Sequence, residues 1–264
     1  MDDVQNHLDV RGIALDQVGV SDLRCPIVVL DRKRERQSTI ANVSMSVELP
    51  HEFKGTHMSR FIEVLEAHRG EITMRTLPDL LRNLKDRLDA PCARIELRFP
   101  YFVERVAPVS AARALMDYEC WFIGESKATE EDFVLGVRVP VTSLCPCSKA
   151  ISDYGAHNQR GYITMEVRGR KDEHGKPNLI WIEELIELAE LSGSAPVYPL
   201  LKRADERHVT MQAFDNPVFV EDMVRNVAAR LRDDSRVASC AIHAVNHESI
   251  HNHSAFAKTV WVRQ

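Results

Sequence analysis

The feature that most constrains this 264-residue chain is an order of elements that occurs twice. Residues 37–49 alternate, with Val43, Met45, Val47 and Leu49 on one face and Asn42, Ser44, Ser46 and Glu48 on the other. That period of two is the pattern of a half-buried strand. Helical segments are expected over residues 56–68 and 77–88, then strand-like runs over 93–103 and 116–123. The second half repeats the order. Phe133, Leu135, Val137, Val139 and Val141 alternate, as do Ile163, Met165 and Val167 against Tyr162, Thr164 and Glu166. Helical segments follow at 182–191 and 217–231, with strand-like stretches at 237–245 and 256–262. The second of these helices is the best marked: Asn216 is placed to cap it, and Pro217 suits a first turn, where an amide hydrogen has no partner to lose. Its apolar stripe is Val220, Met223, Val224, Val227 and Leu231. Each half therefore reads strand, strand, helix, helix, strand, strand. Paired strands and paired helices, rather than strict alternation, predict an α+β fold with antiparallel sheets and helices on one face.

Composition narrows the partners. Hydrophobic residues at 44% and charged residues at 28% suit a soluble globular protein with a sizeable core, with disorder expected only in the first dozen residues. A net charge of -5 leaves no basic excess to displace counterions from phosphates, which argues against general nucleic-acid binding but leaves room for a local anion pocket. No run of about 18 apolar residues spans a bilayer, and Met1–Val10 carries acids and a His rather than an export signal. No membrane is expected as a partner, and the cytoplasm is the expected compartment. Cys25, Cys92, Cys120, Cys145, Cys147 and Cys240 are too scattered for a disulfide framework and are expected to be reduced. Residues 168–177 (RGRKDEHGKP) are charged and turn-rich, an expected exposed hairpin or loop in which His174 is a plain surface residue.

The densest chemical signal is Leu144-Cys145-Pro146-Cys147-Ser148-Lys149, followed by Tyr154-Gly155-Ala156-His157-Asn158-Gln159-Arg160. Two thiols one residue apart fit one tetrahedral metal poorly, so one ligand and one reactive thiol suits the spacing better. His157, twelve residues after Cys145, could return to the same ion. A second cluster is Glu248-Ser249-Ile250-His251-Asn252-His253, preceded by His243 and His247. In a strand, His251 and His253 would point to one side, and imidazoles can ligate metals or move protons. Glu206, in LLKRADE, reads on its own as a solvated helix residue. Glu221 lies beside an apolar stripe near a helix N-terminus, where an anion is stabilised. Lys54-Gly55-Thr56-His57-Met58-Ser59-Arg60 opens a helix, capped by Thr56, that could receive phosphate and equally reads as a plain capped helix.

Together the strings GTHMSRF, CPCSKAISDYGAHNQRG, YPLLKRADE with NPVFVEDMVR, and ESIHNHSAFA resemble the type IB GTP cyclohydrolases, in the family order and across about residues 25–264. The resemblance implies the tunnelling fold, with tandem modules that are each a four-stranded antiparallel sheet carrying two helices. On this reading residues 1–22 are an N-terminal tail, 23–127 the first module, and 128–264 a second module with most of the site. It also implies a homotetramer with active sites at subunit interfaces. Carried onto matching positions, Cys145, His157 and Glu206 are the implied metal ligands, and Cys147 a functional thiol beside them. Glu221 is the implied anchor of the purine N1–H and exocyclic amine. Glu248, His251 and His253 form a polar cluster at the reacting carbon. The phosphate partners fall among His57, Arg60, Lys149, Arg160, Lys202 and Arg203. The implied reaction converts GTP and water to 7,8-dihydroneopterin triphosphate and formate, the first step of tetrahydrofolate synthesis, with a metal-bound water attacking guanine C8. The ligand set admits Zn2+ or Mn2+, and Fe2+ as well. Rival readings are a tunnelling-fold nitrile reductase using NADPH, an archaeal cyclohydrolase that stops at a cyclic phosphate, and a structural zinc-binding protein. Three ligands with one open position favour catalysis over a closed structural site.

Overall fold

A computed structural model describes residue 5 and residues 7–68, 72–73, 76–128, 130–173, 175 and 177–264. His174 lies outside the described residues. Strands β1 (Leu15–Asp31) and β2 (Glu35–Leu49) precede helices α1 (Met58–Ala67) and α2 (Leu77–Leu88) and strands β3 (Cys92–Val106) and β4 (Arg113–Lys127). Then follow β5 (Glu130–Leu144), α3 (Pro146–Ile151), β6 (Asn158–Gly169), α4 (Ile182–Glu190) and β7 (Ala195–Pro196). The chain continues through α5 (Arg203–Asp215), α6 (Val220–Asp233), β8 (Val237–His247) and β9 (Ser254–Val262). Among the described residues, hydrogen-bonded strands run in the order β1-β2-β3-β4-β5-β6-β8-β9, with β7 beside β5. This is the expected α+β architecture.

The chain forms two compact units, and the long strands β3, β4 and β5 each contribute to both. The expected module boundary at 127/128 falls in the turn between β4 and β5. In unit 1 (Met1–Pro100, Trp121–Leu135 and Glu173–Pro177) β1 and β2 form a long hairpin. Its turn is closed by Asp31, whose carboxylate accepts from the amides of Lys33 (2.8 Å) and Arg34 (2.7 Å). This is the aspartate-turn geometry that mimics a backbone turn. On β2, Ala41, Val43, Met45, Val47 and Leu49 are buried, as the alternation requires. Helix α2 buries Leu77, Leu80, Leu81, Leu84 and Leu88, one apolar face at helical spacing. Helix α1 buries Phe61, Val64 and Leu65. Its N-cap is His57 with no side-chain cap bond, so the expected cap at Thr56 is not made.

Unit 2 (Tyr101–Cys120, Gly136–Asp172 and Asn178–Gln264) carries the antiparallel ladder β6-β8-β9. Helix α6 buries the expected stripe of Val220, Met223, Val224, Val227 and Leu231. Its start differs from expectation. Asn216 is the C-cap of α5, and its amide donates back to the carbonyls of Gly193 (3.0 Å) and Ser194 (3.3 Å). The cap bond of α6 comes instead from Asp222, which accepts from the Phe219 amide at 3.1 Å. Of α5 only Glu206 was read as a helix residue, and the rest of the helix falls where none was expected. It buries only Asp205 and Ala213, so it carries no apolar stripe to be recognised.

Candidate active site

The site in unit 2 begins where β5 ends. Cys145 is the N-cap of α3, with Pro146 in the first turn, where a missing amide hydrogen costs nothing. The Ser148 amide donates to Cys145 Sγ at 3.4 Å, and the Lys149 amide donates to the Cys145 carbonyl at 3.1 Å. The chain then loops back so that His157 lies against the same turn. Cys145 N–H donates to the His157 carbonyl at 3.1 Å, and His157 N–H donates to Ser148 Oγ at 3.2 Å. The twelve-residue return expected from the sequence is therefore held by the His157 carbonyl on the Cys145 amide and the His157 amide on the Ser148 hydroxyl. Cys145 is half-buried, and Cys147, on α3, is exposed.

The register of β6 against β8 brings in the next group. Gly161 pairs with Asn246, so Gln159, two residues back, faces Glu248, two residues on. Gln159 is buried and donates from Nε2 to Glu248 Oε1 at 3.4 Å. Its Oε1 lies 2.8 Å from His157 Nδ1. An amide oxygen only accepts, so Nδ1 carries the proton of this bond, and in the neutral ring the lone pair falls to Nε2. The Glu248 carboxylate also stands 3.9 Å from His157 Nδ1, with both side chains largely buried. An imidazole held this way by its far nitrogen is oriented as metal-ligating histidines are. Gln159 was not singled out in the sequence, although it sits at i+2 from His157 on a strand, the position that shares its face.

The other candidates fall around this core. Glu206 is exposed in the first turn of α5, and its amide donates to the Lys202 carbonyl at 2.9 Å. Its neighbour Asp205 is fully buried. It accepts from the amides of Val109, Ser110 and Lys202, each at 2.8 Å, and from Ser110 Oγ at 2.5 Å. Burial acts to raise the Asp205 carboxyl, but these donors outweigh it and hold the group well below the usual carboxylate range. Lys202 and Arg203 are exposed at the start of α5, and Arg160 is exposed on β6. Lys149 donates to the Phe214 carbonyl near the α5 C-terminus and lies 4.2 Å from the Phe214 ring centroid, so its charge is already engaged there. Glu221 is exposed in the first turn of α6. His251 and His253 lie in the turn between β8 and β9, not in a strand, yet their rings stack 5.1 Å apart. His157 meets the Cys145 turn through its backbone and stands near Glu248 through its ring. Among the described residues, no three His, Cys, Asp or Glu side chains stand together so as to hold a metal ion.

His57 and Arg60 belong to unit 1. They line a cavity of about 170 Å³ with Glu48, Gly55 and Thr56, and Arg60 donates to the Arg87 carbonyl at 3.1 Å.

The fold itself resembles solved urate oxidases. The uricase of Arthrobacter globiformis matches with a TM-score of 0.55 at 11% identity, over 94% of this chain and 93% of that one. A Bacillus sp. TB-90 urate oxidase matches at 0.57 and 10% identity, over 94% of this chain and 100% of that one. At such identity the likeness speaks of the fold alone, and that fold is the tunnelling fold. Residues 1–257 match the family described as Type I GTP cyclohydrolase folE2. The GTP cyclohydrolase FolE2 of Syntrophotalea carbinolica is 54% identical over 257 residues, covering 97% of this chain and 94% of the relative. That of Nitrosococcus oceani is 52% identical with the same coverage, and that of Syntrophus aciditrophicus 51% identical, covering 98% of the relative. The chain belongs to the type I GTP cyclohydrolase FolE2 family of enzymes. No helix among the described residues is long and apolar enough to cross a membrane.

Proposed function

We propose that this chain converts GTP and water to 7,8-dihydroneopterin triphosphate and formate, as the entry step of tetrahydrofolate synthesis, using a divalent cation. The observation that carries this reading is His157, pinned against the Cys145 turn, with Nδ1 on Gln159, so that Nε2 is the nitrogen left to a metal in the neutral ring. Cys145 and His157 fit a zinc or manganese site as thiolate and imidazole donors, with Glu206 as the carboxylate that would complete it. When bound, such a cation supplies water activated near neutral pH.

The remaining chemistry falls to the chain's own groups. Glu221 accepts from the purine N1–H and exocyclic amine, which holds the guanine with C8 at the Cys145 turn. Water adds at C8 and the imidazole ring opens. His251 or His253 then delivers a proton to the departing ring nitrogen. Glu248, tied through Gln159 to His157, keeps that imidazole in one tautomer throughout. A second hydrolysis releases formate, and ribose rearrangement followed by reclosure gives the pterin. Cys147 is the second thiol of the site. The phosphate partners are drawn from His57, Arg60, Lys149, Arg160, Lys202 and Arg203. We further propose a cytoplasmic homotetramer, with sites completed at subunit interfaces.

The test is formate release and pterin fluorescence from GTP, using apo-protein reloaded separately with zinc and with manganese. Formate and pterin should appear together and be lost in Cys145→Ala and His157→Ala. Tight metal binding without formate under either ion would overturn the hydrolytic reading.

A further inference from the structure

Three segments of the proposed site leave from one buried polar node. Ser143, 1% exposed, lies on β5 two residues before Cys145. Val218 lies three residues before Glu221, and Asn246, 3% exposed, lies on β8 two residues before Glu248. Asn246 Nδ2 donates to Ser143 Oγ at 2.8 Å, and Ser143 Oγ donates to the Val218 carbonyl at 3.2 Å. The Val218 amide in turn donates to the Leu144 carbonyl at 3.1 Å. One hydroxyl therefore ties the strand that leads into the thiol, the segment that leads into the proposed purine-anchoring helix, and the strand that leads into Glu248.

Stability alone does not account for this arrangement. Asn246 Oδ1 is buried without a hydrogen-bond partner among the described residues, which costs about 1–3 kcal/mol that an apolar side chain of similar volume would not incur. The node also dictates its neighbour on β6. A Cβ at Gly161 would lie 2.6 Å from Asn246 Oδ1, so any larger residue at the register partner of Asn246 would displace the buried amide. A buried polar group kept at such cost, with a glycine reserved for it, is explained by the geometry it enforces.

We propose that Ser143 and Asn246 are positioning residues, which hold Cys145, Glu221 and Glu248 in the mutual placement that guanine-ring hydrolysis needs. The proposal rests on the function proposed above. A displaced thiol and Glu248 impair the chemical step, whereas a displaced Glu221 weakens purine binding. Loosening the node therefore lowers kcat and raises KM together, a signature that loss of overall stability does not produce.

The test compares Ser143→Ala, which deletes one oxygen, and Asn246→Leu with a control, Val227→Ala, which opens the core of α6 away from the site. Measured are kcat, KM, the Kd for GTP by calorimetry, and Tm. Ser143→Ala should lower kcat/KM at least about ten-fold and weaken GTP binding. Val227→Ala should lower Tm as much or more while keeping kcat and KM within about two-fold. Should Asn246→Leu fail to fold, Ser143→Ala decides the matter. Wild-type kcat and KM in Ser143→Ala, or an equal loss in Val227→Ala, would refute the positioning role while leaving the cyclohydrolase reading intact. A wild type that binds GTP without releasing formate would refute hydrolysis, and the GTP Kd of the variants would still decide the positioning. A wild type that does not bind GTP would end both.

Discussion

Arg105 and Glu190 form the most consequential buried charge pair of unit 2, and removing one partner should reveal how that unit is held. Arg105 Nη2 lies 2.6 Å from Glu190 Oε2, with the side chains 17% and 7% exposed. Tyr118 donates its hydroxyl to Glu190 Oε1 at 3.0 Å, and the guanidinium lies 5.6 Å from the Tyr198 ring centroid. At an effective dielectric of about 20, unit charges centred about 4 Å apart attract by about 4 kcal/mol. Arg105→Ala leaves Glu190 buried with Tyr118 as its remaining partner, a situation that costs about 3–5 kcal/mol. For a chain of this size that corresponds to a fall in Tm on the order of 10 °C.

The sign of the pH dependence separates this cause from a simple packing loss. Burial already pushes the Glu190 carboxyl up, against the opposing pull of Arg105 and the Tyr118 hydroxyl. Without Arg105 it rises further, so the folded variant binds more protons than the unfolded chain above about pH 4.5. Stability of Arg105→Ala therefore falls as pH rises through that window. Its deficit against wild type should be about 1–2 kcal/mol smaller at pH 5.5 than at pH 8. The triple change Arg105→Met, Glu190→Leu, Tyr118→Phe removes every polar member and should recover most of the loss. The assay is urea unfolding followed by circular dichroism at one fixed protomer concentration. An equal deficit at both pH values, or a triple variant as unstable as the single one, would refute the argument.

Other outcomes follow from single contacts. Gly161→Ala drives a methyl to within 2.6 Å of Asn246 Oδ1 and should cost about 1–3 kcal/mol, read as a lower urea midpoint. An unchanged midpoint would mean that the strands around the node part freely. Met223→Ala, at a position with no exposed surface on α6, should cost about 2–5 kcal/mol, whereas Glu221→Ala two residues earlier should stay within about 0.5 kcal/mol while abolishing GTP binding. Calorimetry and urea melts on the same samples check both halves. The Asp205 carboxyl, held below its ordinary range in the fold, contributes stability that is complete above about pH 4 and lost as pH falls through the acid range. The gap between wild type and Asp205→Asn should therefore be widest near neutral pH and narrow on acidification, as measured by acid unfolding.

What could be read in the sequence was whatever buries an apolar face. Helix α2 appears at the expected residues 77–88 because five leucines at helical spacing leave no other periodicity. Strand β2 follows its alternation for the same reason. Strand β1 was not recognised, and of α5 only Glu206 was read as helical; the first part of β1 and the whole of α5 lack that signal. The first ten residues of β1 include no buried one, and α5 buries just two. What secures α5 is Asp205, a charged residue that pattern reading assigns to solvent until its four donors are seen. Asn216 misled because an Asn between two helices serves either as an N-cap for the next or as a C-cap for the last, and only the Gly193 and Ser194 carbonyls decide between them.

The site divides along the same line. Cys145, His157 and Glu248 carry reactive groups whose types announce chemistry, so they were legible singly. Gln159, Ser143 and Asn246, which join and place them, are neutral polar residues on strands, where outward-facing polar residues are the ordinary case. Their burial depends on strands and turns far apart in the chain, and no local spacing reports it. The exception is Gly161. A glycine inside a strand marks a close approach by some other group, and here that group is the amide of Asn246. The residues that perform the proposed chemistry are thus readable from type, while those that aim it become readable only through what their neighbours are forbidden to be.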